Sequence, residues 1–243
     1  MRRIVSALLS VAIFAALNPL VVAESAAVKE EVIAGLHDVP IKVRMEGPYT
    51  ADATLQVVCY LKYSEAGAKK MSGAPVELDK HLGGVINSLR SRGEFTGERM
   101  ETILLTPKDG AIKAKYLLLV GLGSEDQLSL DLMEQVGQTA LRHAKELGAT
   151  KVAFAPLLRD QGNSTLDVGA VETAVVKGML LAYDTELRLQ KEGLSKDYKL
   201  DEWWVEAGPA YFDQTVRGVR EAVSQVVAKS ETRPTSKLET AAK

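Results

Sequence analysis

Few residues in this chain have the type and spacing that chemistry requires. The glycine pair Gly121 and Gly123 in "KYLLLVGLGSEDQLSLDLMEQ" follows an apolar run and precedes a helical pattern. That order suits a strand, a tight turn and a capped helix, the frame of a nucleotide-binding loop. The dinucleotide fingerprint needs a third glycine three residues on, and Asp126 stands there instead. A carboxylate at that point repels a pyrophosphate. The three histidines, His37, His81 and His143, do not pair at metal-ligand spacing. Glu77 and His81 share one side of a predicted helix, which reads as a solvated charged face. Cys59 is the only cysteine, and it lies in the apolar pattern "LQVVCYL". It reads as a buried, inert thiol. No Gly-x-Ser-x-Gly elbow occurs.

The elements that must position these residues follow from periodicity. "IKVRMEG" and "ATLQVVCYLKY" read as strands, and a Gly/Ser/Ala/Lys loop follows them. One helix is predicted over "VELDKHLGGVINSLRSRG", with Leu78, Leu82, Val85, Ile86 and Leu89 on one face. Gly83 and Gly84 interrupt it, at about 1 kcal/mol each relative to alanine. Close packing or a nearby ligand would explain them. "METILLTP", "KYLLLVGL" and "KVAFAPL" are near-continuous apolar runs, as expected of strands covered on both faces. A helix opens at the N-cap Ser129 and stops at Gly148. A second runs from about Leu166 to Leu187. A third opens with Pro209 at its first position and continues to about Lys229. "DEWWVEAG" is the last strand. Neighbouring tryptophans point to opposite faces of a strand. Trp203 and Trp204 thus read as one core residue and one helix contact, or as a partner surface with one indole exposed.

Alternating strand and helix patterns argue for an α/β fold with a largely parallel sheet. The chain has 243 residues, 46% apolar and 26% charged, which is ordinary for a globular domain. Residues 1–23 differ. Arg2 and Arg3, an apolar run over Ile4 to Leu17, and small residues up to Ala23 follow the grammar of a secretory signal peptide. The run is shorter than the roughly 20 residues that span a bilayer. Cleavage after Ala23 is expected, with export to the periplasm or medium and no membrane attachment afterwards. Losing the two arginines takes the formal charge from −2 to −4, which gives no reason to expect nucleic acid. Residues 24–39 read as a linker, 40–229 as one domain, and the polar tail 230–243 as disordered.

Several stretches in this order resemble the N-terminal domain of leucine aminopeptidases. The matching residues include Leu82, Gly83, Gly84, Arg92, Gly93, Glu94, Phe95, Gly97, Val120, Gly121, Leu122, Gly123, Gly178, Leu181 and Tyr183. The resemblance implies a macro-domain-like three-layer sandwich with a mixed, mostly parallel sheet flanked by helices. It implies that Gly121 and Gly123 serve the fold, with a ligand loop at Gly121, Gly123 and Ser124 as the alternative. In that family the chemistry lies in a C-terminal domain that binds two metals, through residues that include an Asn-Thr-Asp-Ala-Glu-Gly-Arg-Leu segment. These 243 residues contain no such segment. The expectation is therefore a non-catalytic interaction or regulatory module without metal or cofactor. It would engage a peptidase, another envelope protein or itself. A macro-type binder of ADP-ribose-like ligands is the alternative, and a metal-dependent aminopeptidase comes last.

Overall fold

The computed structural model describes residues 28–234. The expected signal peptide lies outside that range, as do the tail residues from 235 onward. Seven strands, β1 (Glu30–Ala34), β2 (Pro40–Arg44), β3 (Leu55–Tyr60), β4 (Thr102–Leu105), β5 (Tyr116–Gly121), β6 (Lys151–Ala155) and β7 (Glu202–Glu206), form one sheet. Their spatial order is β1-β2-β7-β6-β3-β5-β4. The five inner strands are parallel, and β1 and β4 pair antiparallel at the edges. Six helices accompany them: α1 (Glu65–Lys70), α2 (Ala74–His81), α3 (Val85–Ser91), α4 (Leu130–Leu147), α5 (Val168–Lys191) and α6 (Phe212–Glu231).

The central strands β3, β5 and β6 are largely apolar because both of their faces are covered. Val57, Cys59, Leu118 and Val120 join the larger core with α4, α5 and α6. The alternate residues Val58, Tyr60, Leu117 and Leu119 join a smaller core with Leu78, Ile86 and Phe95. This is the expected α/β sandwich. Cys59 is fully buried, and burial pushes its thiol up.

Several expectations need correction. Part of the supposed linker is β1, an edge strand too short and polar to announce itself. The single helix over residues 76–93 is two, α2 and α3. Gly83 and Gly84 separate them with φ of 68° and 83°. A Cβ at either would meet nothing within 4 Å, so handedness explains both glycines, and close packing does not. The supposed loop after β3 contains α1, whose N-cap Ser64 accepts from the Gly67 N–H. β4 is an edge strand with Leu104 exposed, where coverage on both faces was expected. Pro209 precedes α6 by three residues, because α6 opens at Phe212.

The α4–α5–α6 layer packs at backbone contact. A Cβ on Gly178 of α5 would lie 2.0 Å from the Glu134 carbonyl oxygen of α4. A Cβ on Gly137 would lie 2.0 Å from the Val175 carbonyl oxygen, and one on Gly218 of α6 would lie 2.2 Å from that of Gly169. Thr173 Oγ1 stands 2.9 Å from both the Gly169 and Gly218 carbonyl oxygens, bridging α5 to α6. Near the other end of α5, buried Asp184 accepts from His37 Nε2 (2.9 Å), Arg188 Nε (3.0 Å) and Arg233 Nη1. The first residues of the expected tail are therefore docked. Burial alone would raise the Asp184 pKa, but the His37 hydrogen bond and the two arginines outweigh it and hold the carboxyl below its usual value.

Three substitutions test this packing. Gly178→Ala should lower the urea midpoint by about 3 kcal/mol equivalent, despite alanine's better helix propensity, because backbone must move. Gly83→Ala should cost only about 1–2 kcal/mol, the strain of a left-handed non-glycine residue in open space. Asp184→Asn should cost about 2–3 kcal/mol near neutral pH, in the range of hydrogen bonds to charged groups. The depressed pKa makes the Asp184 contribution full above the unfolded value of 3.8 and progressively lost below it. The mutant and wild-type stability curves should therefore converge as acid is added.

Candidate functional site

The carboxyl ends of parallel strands are the usual place for a ligand in an open α/β sheet. Here the ends of β2, β7 and β6 frame a cleft of about 310 Å³. Glu46 follows β2, Glu206 ends β7, and Glu172 enters from the second turn of α5. Asp160 enters from the turn after β6. Apolar side chains, including Pro156, Leu158, Val171 and Tyr211, form much of the remaining wall.

The acids are poorly compensated. Glu172 is 1% exposed, and its Oε2 has no partner among the described residues. Burial pushes its carboxyl up to about 8, so it is largely neutral near pH 7. Glu206 is 7% exposed, and both of its carboxylate oxygens lack hydrogen bonds. Burial first, and then the Glu46 charge, raise Glu206 well above the usual range. The Gln56 amide is near enough to ease that charge but makes no hydrogen bond of good geometry with it. Arg44, opposite Glu206 in the β2–β7 register, stands 3.0 Å from Glu46 Oε1, in an ion pair too bent to be a hydrogen bond. Burial nonetheless raises Glu46. Asp160 is raised by burial too, partly offset by the Ala74 N–H. Arg159 also lines the cleft, but it donates to the carbonyls of Asn163 (2.9 Å) and Leu166 (2.7 Å), so its guanidinium is already engaged.

The residues singled out from the sequence lie elsewhere. Gly121 ends β5, and β3 and β6 stand between β5 and β7. A Cβ on Gly121 would lie 2.1 Å from the Glu98 carbonyl oxygen. Gly123 has φ 74° and donates to the Gly97 carbonyl. Both glycines are therefore spent on backbone approach to the 97–98 turn. Neither they nor Ser124 line the cleft. The 96–98 turn is held by Glu101, whose carboxylate accepts from the N–H groups of Thr96, Gly97 and Glu98. Trp203 is fully buried and stacks on Phe154. Trp204 is 5% exposed, beneath the Arg44 guanidinium at 4.2 Å, and its Nε1 donates to Glu202. Neither indole offers an exposed partner surface. Sequence reasoning did not single out Glu46, Glu172 or Glu206. The available signal was weak, a glutamate inside the apolar stretch "VGAVETAVVKGMLLAY" and another closing "WWVE".

Residues 57–191 match the profile of the cytosol aminopeptidase family, N-terminal domain. A probable cytosol aminopeptidase of Geotalea uraniireducens is 36% identical over 106 residues, which is 43% of this chain and 20% of that protein. The chain thus spans a minor share of that relative's length. Among solved structures, a macrodomain from Oceanobacillus iheyensis superposes with TM-score 0.55 at 9% identity, covering 84% of this chain and 98% of its own. A tomato leucine aminopeptidase superposes with TM-score 0.54 at 20% identity, over 76% of this chain and 35% of its own. At those identities the two superpositions establish a macrodomain-like fold. The profile match takes in more than half of the chain, and the protein belongs to the cytosol aminopeptidase family through that family's N-terminal domain.

Proposed function

We propose that the chain is an exported, non-catalytic interaction module that regulates or scaffolds a peptidase or another envelope protein. Export rests on the leader-like pattern of residues 1–23. The non-catalytic reading is supported by the match to the family's N-terminal domain. The observation that carries the reading is the sheet edge at β1. This strand pairs only with β2 among the described residues, and its Val32 is 55% exposed. Soluble proteins generally protect such edges, because outward main-chain groups beside an apolar side chain invite another strand. Leu104, 40% exposed on β4, gives the opposite edge the same character.

The nucleotide alternative has less behind it. The loop at Gly121 to Ser124 is packed against residues 97–98, and the cleft at the ends of β2, β7 and β6 is lined with acids.

The tagged chain from Glu24 onward should retain a metallopeptidase from extracts of its own source, identified by mass spectrometry. Val32→Lys should abolish that retention while leaving the melting temperature nearly unchanged, as is usual for surface substitutions. Recovery of no partner, together with a monomer in sedimentation, would sink the reading. ADP-ribose at millimolar concentration should leave the melting temperature unchanged, and a rise of several degrees would restore the nucleotide alternative.

A further inference from the structure

The cleft at the ends of β2, β7 and β6 has no part in the edge-mediated function proposed above, yet it contains buried carboxyl groups without hydrogen-bond partners among the described residues. Four carboxylate oxygens there, Glu46 Oε1, Glu172 Oε2 and both of Glu206, have no hydrogen-bond donor. Glu172 and Glu206 are more than nine-tenths buried, and both reach into the cavity. Buried polar atoms are normally satisfied, and leaving one bare costs more than an apolar side chain of similar shape would. A wall of Leu, Val and Pro could have closed this space with no such cost. Donors supplied from outside would make the arrangement coherent.

The chemistry narrows the donor. A buried carboxyl that is neutral in the empty cleft ionises when a cation arrives beside it, whereas an anion would hold it neutral or be repelled by it. A divalent metal needs several ligands converging on one point, and among the described residues no three His, Cys, Asp or Glu side chains are placed to hold one. A bare monovalent ion would leave the apolar wall unused. A donor-rich organic cation satisfies both features, with N–H groups turned to the carboxylates and carbon turned to Leu158, Val171 and Tyr211. A volume of about 310 Å³ fits a small ligand.

We propose that this cleft binds a small organic cation, a primary ammonium or amidinium group on a short apolar body, with Glu172 and Glu206 as its charge partners. Glu46 completes the acidic wall from the β2 side, and Tyr211 at the rim covers the apolar body. The site is separate from the β1 and β4 edges, so the module can bind its cation whether or not it has a protein partner.

The test uses benzamidine and butylammonium chloride as probes in isothermal titration calorimetry with the wild-type chain. Saturable binding of at least one probe is expected. Benzoate and sodium chloride at the same ionic strength should give none. Glu172→Gln and Glu206→Gln keep the shape but cannot ionise against a cation, and each should weaken binding at least tenfold. If either variant fails to fold, amide shift mapping on the wild-type chain replaces it, with probe-induced shifts expected at Tyr211, Thr215 and Ala207. Three results would overturn the proposal: no binding of either probe, equal binding of benzoate, or shifts that avoid these residues.

Discussion

The closest constraint in this molecule is the contact of bare backbone between α4, α5 and α6. Gly178 admits the Glu134 carbonyl, Gly137 admits that of Val175, and Gly218 admits that of Gly169. Side chains of any size would push the helices apart and rotate them. The contact sets the register of α5, and α5 sets much else. Glu172 lies six residues before Gly178, about 9 Å along the axis at the usual rise. That spacing puts its carboxyl at the strand ends. Five residues after Gly178, the Tyr183 hydroxyl accepts from the Leu200 N–H and steers the chain into β7. One residue further, Asp184 gathers His37, Arg188 and Arg233, tying the segment after β1 and the end of α6 to the same helix. The resemblance noted at Gly178, Leu181 and Tyr183 thereby acquires a physical reason at each of its ends.

A second glycine set works in the same way on the far side of the sheet. Gly121 and Gly123 accept the close approach of the turn at 97–98, and Glu101 holds that turn by gathering three of its N–H groups. The turn thus uses a side-chain carboxylate where a nucleotide loop would use a phosphate. Two glycines after an apolar strand are consistent with either, and only the neighbouring segment distinguishes them. The local sequence does not contain that neighbour.

Legibility in the sequence followed how much of an element's character is local. β5, β6, β7, α4 and α5 are long or strongly apolar, and their periodicity and caps identify them. Ser129 and Gly148 bracket α4 as read, the first accepting from the Leu132 N–H and the second left-handed. β1 escaped because an edge strand with Glu30, Glu31 and an exposed Val32 has no buried face to create a pattern. The break between α2 and α3 escaped because their apolar spacing continues across Gly83 and Gly84 while the backbone does not. The acids of the cleft were illegible for a different reason. Burial of Glu46, Glu172 and Glu206 is produced by three segments distant in sequence, and a glutamate looks the same until its neighbours arrive. The tryptophans misled in the opposite direction. Their size drew attention, yet Arg44 and Glu202 satisfy Trp204 within the fold.

The electrostatics of the strand ends follow from what the chain has placed there itself. The N-terminus of a helix favours negative charge, and in many α/β proteins that charge arrives with a ligand phosphate. At the start of α5, Asp167 already accepts the Ala170 N–H, and Glu172 follows within the next turn. The positive end is thus answered internally, and Glu206 and Glu46 add acid beyond what it can answer. The proposed cation would therefore meet strand ends at which the helix has already been answered by the chain's own carboxylate. A shared architecture sets where a ligand can sit, and the charges at the strand ends set which kind it can be.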